Sequence, residues 1–166
     1  MINEERESYV METITADELF FFDAKPGAFF LYEVFRKAVL DRIPKTRIEV
    51  KKTQISFFSR YMFAAVSLAK VRRAKDCPDP FLTITFGLPY RKESARIDVA
   101  TEPYPNRWTH HVMIGAEDEI NDELLSWIVE AAAFSASFWS FDLNTSLISR
   151  EKGGKSESLR VSSSSL

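Results

Sequence analysis

The chain has 166 residues, of which 45% are hydrophobic and 13% aromatic, and its formal net charge is −2. This length suits one domain with a buried core, and the charge balance argues against a dedicated binder of nucleic acid or anionic membrane. The single cysteine excludes an internal disulfide, the polar start is unlike a secretory signal, and no apolar run could span a bilayer, so we expect a cytoplasmic protein.

Two helices are predicted near the N-terminus, after a flexible segment 1–14. Thr15 and Glu18 have the spacing of a capping box, which predicts a short helix followed by aromatic residues. Pro26 suits the first turn of a second, longer helix. Apolar residues recur at helical spacing through residues 28–42, and this pattern places Arg36 on the outer side.

Strand patterns follow the helices. Apolar and polar residues alternate, or apolar residues run together, at 47–51, 54–58, 61–68, 81–86, 95–99 and 108–114. The charged segment 71–80 is typical of a loop, and 102–106 is rich in turn residues. Acidic residues at 117–119 favour the start of another helix, whose apolar stripe includes Trp127.

The order of these elements predicts an α+β fold. Short connections between strands cannot hold crossover helices, so we expect an antiparallel sheet of about five to six strands, with N- and C-terminal helices packed on one face. Residues 15–134 would form this single domain. Residues 135–166 are Ser-rich and of low complexity, and we expect them to be a disordered tail.

Several kinds of chemistry lack their sequence motifs. The five glycines form neither GxGxxG nor a P-loop, and there is no GxSxG elbow or zinc-ligand spacing, so we expect no cofactor and no metal site. Cys77 has no base beside it in the sequence, which argues against a catalytic thiol. His110 and His111 are adjacent, so on a strand they would lie on opposite faces and could not share a metal.

Strand alternation also predicts a polar surface on the sheet. If Val112 and Ile114 face the helices, Trp108 and His110 share that side, whereas His111 lies on the opposite face, which we call the second face. The same alternation assigns these further residues to the second face: Gln54, Ser56, Thr83, Thr85, Arg96, Asp98 and Thr109. Together with residues at the rim, the candidate ligand-binding set is Lys52, Gln54, Thr83, Thr85, Arg96, Arg107, His110 and His111.

Four interpretations of this set remain open. The first is an ordinary solvated sheet face, with Arg96 and Asp98 as an ion pair and His110 as a core residue. The second is a binding or accessory module for an anionic small molecule or a protein partner. The third is a small enzyme with a histidine acid/base and an Arg or Lys that binds an anion. The fourth is weak nucleic-acid binding through basic residues near 45–52 and 70–75.

Three segments carry a family resemblance. They are Lys51 to Phe57, Leu82 to Pro89 and Arg107 to Val112, with the sequences KKTQISF, LTITFGLP and RWTHHV. In this order, and followed by an acidic helix, they resemble a family of small bacterial domains of unknown function. The resemblance extends over about residues 16–134, and it implies a compact α+β domain that occurs alone or joined to other domains. It implies no activity, but it directs attention to Lys52, Gln54, Arg107, His110 and His111.

Overall fold

A computed structural model of the protein describes residues 13–152, with side chains described from residue 13 to residue 137. The chain divides into two compact units, Met1–Ala136 and Ser137–Leu166. The first unit contains the sheet and the core. Of the second unit, the backbone up to Lys152 is described, with the side chain of Ser137. Residues 1–12 of the predicted flexible segment and residues 153–166 of the predicted tail lie outside the described residues.

Helix α1 comprises Ala16–Phe21, and the predicted capping box at its start is confirmed. The Thr15 hydroxyl accepts the N–H of Glu18 at 3.3 Å, and the Glu18 carboxylate accepts the N–H of Thr15 at 2.7 Å. These bonds satisfy two amides that a helix start leaves without partners. A 3-10 turn at Pro26–Ala28 leads into helix α2, Phe29–Arg42.

Arg36 lies inside the protein, so its predicted exposure on α2 was wrong. Its Nε donates to Glu18 Oε1 at 2.8 Å, and the same oxygen accepts a hydrogen bond from the Tyr32 hydroxyl. Each of these three residues is at most 6% exposed. Burial alone would raise the pKa of Glu18, but hydrogen bonds from Thr15, Tyr32 and Arg36 lower it overall. The three side chains therefore connect α1 to α2 through a buried charged network.

The six strands form one antiparallel sheet, which confirms the predicted fold class. Their order across the sheet is β1-β2-β3-β4-β6-β5. The bounds are β1 Arg47–Val50, β2 Ile55–Phe58, β3 Met62–Ser67, β4 Leu82–Leu88, β5 Val99–Tyr104 and β6 Arg107–Ile114.

Strand β5 begins later than the sequence pattern predicts. Residues 95–98 form a turn in which the Ser94 hydroxyl accepts the N–H of Arg96, and the strand continues through residues 102–104. Pro103 is compatible with a strand here because β5 is at the edge of the sheet, where a missing N–H breaks no interior ladder. The hairpin turn is Pro105 and Asn106, and Asn106 has a φ of 59°.

Both long helices pack on the same face of the sheet. Phe35 of α2 contacts Phe57 of β2 edge to face, and Phe86 of β4 contacts Trp127 of the C-terminal helix. Phe57 and Phe86 lie in one register row across β2, β3 and β4. The core therefore lies between this face and the two helices, as predicted.

Helix α3 comprises Asp122–Lys152. Its first turn is capped by Asn121, whose side-chain oxygen accepts the N–H of Leu124 at 3.1 Å. The helix extends past Phe134, where we expected the ordered chain to end, because residues 122–152 contain no glycine or proline and the first helix-breaking residue is Gly153. The predicted domain boundaries themselves remain a prediction. Within the described residues, no helix has the length and apolar character that crossing a membrane requires.

Candidate functional site

The second face carries a row of residues in register across five strands. Ser56 of β2 pairs with Ala65 of β3, Ala65 pairs with Thr85 of β4, and Thr85 pairs with His111 of β6. Val99 of β5 completes the row beside His111. The row arises because each strand contributes a small or polar residue at the position that alternates with its core residues.

This face is more buried than an ordinary solvated sheet surface. Ser56 and Thr83 are at most 1% exposed, and Ala65 and Met113 are also buried, although neither belongs to the core between the helices and the sheet. Thr85 and His111 beside them are half-buried. Part of this face is therefore buried, and the buried side chains of Ser56 and Ala65, which we call the floor of the face, lie beside the half-buried Thr85 and His111.

The loop between β3 and β4 crosses one end of the second face. The Thr83 hydroxyl donates to the carbonyl of Ala69 at 2.7 Å. Further along this loop, the Arg72 guanidinium pairs with the carboxylate of Asp98 and donates to the carbonyl of Met113 at 3.3 Å. The Asp98 carboxylate also accepts the N–H of Met113 at 2.8 Å. The hydrogen bond to Asp98 raises the pKa of Arg72.

The Asp98 ion pair differs from the predicted one. We expected Arg96 as its partner, but the partner is Arg72, 26 residues earlier in the sequence. Asp98 lies just before β5, where that strand no longer covers the edge of β6, so its carboxylate and Arg72 satisfy the backbone of Met113 instead. No sequence pattern indicated Arg72, because it lies in a loop with no periodicity.

His111 and Thr85 are joined by a hydrogen bond of 2.8 Å between Nδ1 and the hydroxyl oxygen. Among the described residues, no hydrogen bond to Nε2 of His111 is found. Burial lowers the pKa of His111, so the imidazole is neutral at pH 7. When the Thr85 hydroxyl donates to Nδ1, Nε2 carries the proton and is a donor available to a ligand.

Two further predicted residues lie at the β1 side of this face. The Gln54 side-chain amide donates to the Ser56 hydroxyl at 2.8 Å, so these two residues do come together. Lys52 is exposed in the turn between β1 and β2, two residues before Gln54, and no ion pair to it is found in the described chain. Both residues are separated from His111 by the width of β3 and β4.

Arg107 lies at the other end of β6 from the row. It pairs in register with Tyr104 across the β5–β6 hairpin, and its guanidinium is 5.9 Å from the centroid of the Tyr104 ring. Arg107 lies four positions before His111, which corresponds to a rise of about 13 Å along the strand. Arg107 therefore belongs to the rim of the second face rather than to its floor.

Arg96 does not lie on the second face, and its predicted place there was wrong. Because residues 95–98 form a turn, strand alternation does not apply to them. The guanidinium instead donates to Asn121 at 2.8 Å and Glu123 at 3.1 Å, and its centre is 5.7 Å from the Trp127 ring centroid. Arg96 thus holds the start of α3 against the sheet.

His110 is a core residue on the helix-covered face. It is fully buried and stacks on Phe86 with a ring-centroid distance of 5.1 Å. Its Nε2 accepts the backbone N–H of Lys92 at 2.9 Å, which requires the proton of the neutral ring to be on Nδ1. Burial lowers the pKa of His110, although the backbone of Phe86 acts in the opposite direction. His110 and His111 therefore cannot act on one ligand.

Within the described residues, no group of three or more histidine, cysteine, aspartate or glutamate side chains is arranged to hold a metal ion. The two histidines lie on opposite faces, and the Asp98 carboxylate is already bonded to Arg72 and Met113. The polar groups described on the second face are thus suited to hydrogen bonding rather than metal ligation.

The family described as Domain of unknown function (DUF5655) matches residues 20–135, which is most of the chain and nearly the whole first unit. The protein belongs to this family. No curated protein and no solved structure matches the chain. The matched range includes all six strands and therefore the complete second face.

Proposed function

We propose that this member of the DUF5655 family is a binding module that holds a small anionic molecule on the second face, with His111 as its principal contact. The hydrogen bond between Thr85 and His111 carries the proposal. It fixes the imidazole and leaves Nε2 without a partner among the described residues, beside buried small side chains. A few polar groups held in fixed positions are the usual source of specificity in a small-molecule site.

The small side chains of the row are compatible with a small ligand. Ala65 lies between Ser56 and Thr85 and has no side chain beyond Cβ, so no long side chain of this row separates Ser56 from Thr85. Thr85 and His111 are half-buried, which partly removes their polar groups from water. Hydrogen bonds made in such surroundings are stronger than those on an open surface.

The imidazole can couple the binding of an anion to the uptake of a proton. His111 is held neutral because burial disfavours its charged form. A carboxylate or phosphate next to Nε2 would favour the imidazolium, so anion binding and proton uptake would be coupled. Lys52 and Arg107 lie at opposite rims of this face and would add positive potential, whereas Arg72, in the loop that crosses one end of the face, is neutralised by Asp98.

The two alternatives have less support. Acid/base catalysis by His111 would be helped by a carboxylate that orients the imidazole, but the described partner of His111 is the Thr85 hydroxyl. The Asp98 carboxylate is already bonded to Arg72 and to the N–H of Met113. Nucleic-acid binding is disfavoured because the basic stretch 45–52 contains Glu49, which pairs with Arg47 and lies 3.9 Å from the Nζ of Lys51.

A cytoplasmic location fits the single cysteine and remains part of the proposal.

The proposal is tested by backbone amide chemical shifts recorded during titration with inorganic phosphate, succinate and citrate. We expect shifts concentrated on the amides of Thr85, Gly87, Thr109 and His111. His111→Asn and Thr85→Val should each weaken binding by about tenfold, the loss of roughly one hydrogen bond to a charged group.

Thr101→Ala is the matched control. Thr101 is exposed and pairs with Thr109, one row away from His111, so its removal should leave the affinity unchanged. Shifts that are absent or scattered over the surface, or an equal loss of affinity in the Thr101 variant, would contradict the proposal.

A further inference from the structure

A cavity lies on a different part of the protein, between the segment before α2 and the end of the loop that leads into β4. Its volume is about 410 Å³, and it is half enclosed. Residues 24–28 form one wall and residues 70–81 contribute the other. This volume lies within the range of about 300–1,000 Å³ that is typical of small-molecule sites.

The wall of the cavity is mixed, with slightly more polar than apolar exposed surface. Its apolar part comes mainly from Pro26, Pro78 and Pro80. Phe81 also borders the cavity, but it is only 3% exposed, and the Nζ of Lys25 lies 4.5 Å from the centroid of its ring. Lys25 is therefore held at the wall by a cation–π contact with Phe81.

The charged groups of the cavity favour an anion. Lys25 and Lys70 both line it, and neither has an ion-pair partner among the described residues. Asp79 is the one acidic residue in the lining, which therefore contains two lysines and one carboxylate. An anion in the cavity would be attracted by the net positive charge of the lining.

We propose that this cavity binds a small organic anion with an apolar body, such as an aromatic carboxylate. The carboxylate would contact the ammonium groups of Lys25 and Lys70, and the apolar body would pack on Pro26, Pro78 and Pro80. This site is separate from the second face and does not rest on the function proposed for it.

Alkylation of Cys77 can report whether the cavity is occupied, because Cys77 is the single cysteine of the chain and lies in the cavity wall. Its thiol is partly exposed, so iodoacetamide can alkylate it. Benzoate is the probe. Alkylation of Cys77 should fall about fivefold at a benzoate concentration about four times the Kd, since only about a fifth of the cavities then remain empty.

Lys25→Gln and Lys70→Gln should each remove most of this protection, because each deletes an ammonium group facing the carboxylate. Both lysines are exposed, so these variants should fold. Lys37→Gln, an exposed lysine of α2 away from the cavity, is the matched control and should keep full protection. His111→Asn should also keep it, which separates this site from the second face.

Four results would overturn the proposal. Alkylation could be unaffected by benzoate, or protection could survive in both lysine variants. Benzyl alcohol, which has the same apolar body without the charge, could protect as well as benzoate. Equal protection by inorganic phosphate would contradict the role of the prolines.

Discussion

His110 and His111 are neighbours in the chain, yet their imidazoles lie on opposite faces of the sheet. His110 stacks on Phe86 in the core, whereas His111 bonds to Thr85 on the second face. Because Thr85 and Phe86 are themselves adjacent on β4, two successive cross-strand pairs place one histidine in the structural core and the other in the candidate site. The two imidazoles should therefore differ in tautomer and in the response of their pKa to a bound anion.

The first prediction concerns the tautomer of His110. Because its Nε2 accepts the Lys92 amide proton, the neutral ring should carry its proton on Nδ1. Long-range ¹H–¹⁵N spectra of the imidazoles at pH 7.5 distinguish the two tautomers. A proton on Nε2 of His110 would show that the hydrogen bond to Lys92 does not exist in solution.

The second prediction concerns the pH dependence of stability. Burial lowers the pKa of both histidines below their ordinary value, so the unfolded chain binds more protons than the folded one. The free energy of unfolding should be highest above pH of about 6.5 and should fall as the pH decreases below that value. Urea unfolding between pH 7.5 and pH 5 measures this slope.

Variants that lack one histidine show how much each histidine contributes to that slope. His111→Asn and His110→Asn should each flatten it, because each removes one group that gains a proton on unfolding. Thr101→Ala, which removes no titratable group, should keep the full slope. A wild-type stability that is constant over this range would contradict the lowered pKa values.

The third prediction concerns the buried network of Glu18, Tyr32 and Arg36. Glu18→Ala leaves the Arg36 guanidinium buried without its carboxylate, so we expect a loss of about 3–5 kcal/mol in the free energy of unfolding. Tyr32→Phe removes one hydrogen bond and should cost about 1–3 kcal/mol. Urea unfolding at pH 7 measures both losses.

The double variant Glu18→Gln with Arg36→Met provides the comparison. It removes both charges, so it should be less destabilised than Glu18→Ala. Since the pKa of Glu18 is lowered, the network contributes above pH of about 4.5 and is lost as the pH falls through the folded pKa. A loss below about 1 kcal/mol in Glu18→Ala would mean that the network does not connect α1 to α2.

The fourth prediction compares two glycines of the sheet. A Cβ on Gly115 would lie 2.4 Å from the Cβ of Pro78, so the end of β6 approaches the loop before β4 too closely for any side chain. Gly115→Ala should therefore cost about 1–3 kcal/mol. Thermal or urea unfolding measures the effect.

Gly87→Ala is the control, since the nearest atom to its added Cβ is the Trp108 carbonyl oxygen at 3.8 Å, an ordinary contact. In a strand, alanine in place of glycine also lowers the entropy of the unfolded chain, so this variant should be neutral or slightly more stable. Equal losses in the two variants would contradict the close approach at Gly115.

Regular alternation made much of the fold predictable. The apolar positions of β4 and β6 alternate without interruption, so the opposite orientation of His110 and His111 and the place of Thr83 and Thr85 could be predicted from the pattern. The capping box at Thr15 was likewise predictable, because its two bonds join residues three apart.

The rest depends on contacts that no local pattern encodes. Arg96 was misplaced because a serine hydroxyl turns the chain just before β5, and the alternation of 95–99 is accidental. Arg72 reaches Asp98 across 26 residues, and Arg36 is buried only because Glu18 and Tyr32 are placed to receive it. Tyr32 and Arg36 are four residues apart on α2, a spacing that places them on the same side of the helix but does not show that this side is buried.

The central claim, that the second face binds an anion at His111, is tested most directly by the pKa of the His111 imidazole. This pKa is obtained from its ring resonances in pH titrations with and without saturating phosphate, with His110 as the internal reference. The account predicts that phosphate raises the pKa of His111 by about one unit, corresponding to about 1.4 kcal/mol of coupling, and leaves that of His110 unchanged. An unchanged pKa of His111, or an equal rise for both histidines, would contradict it.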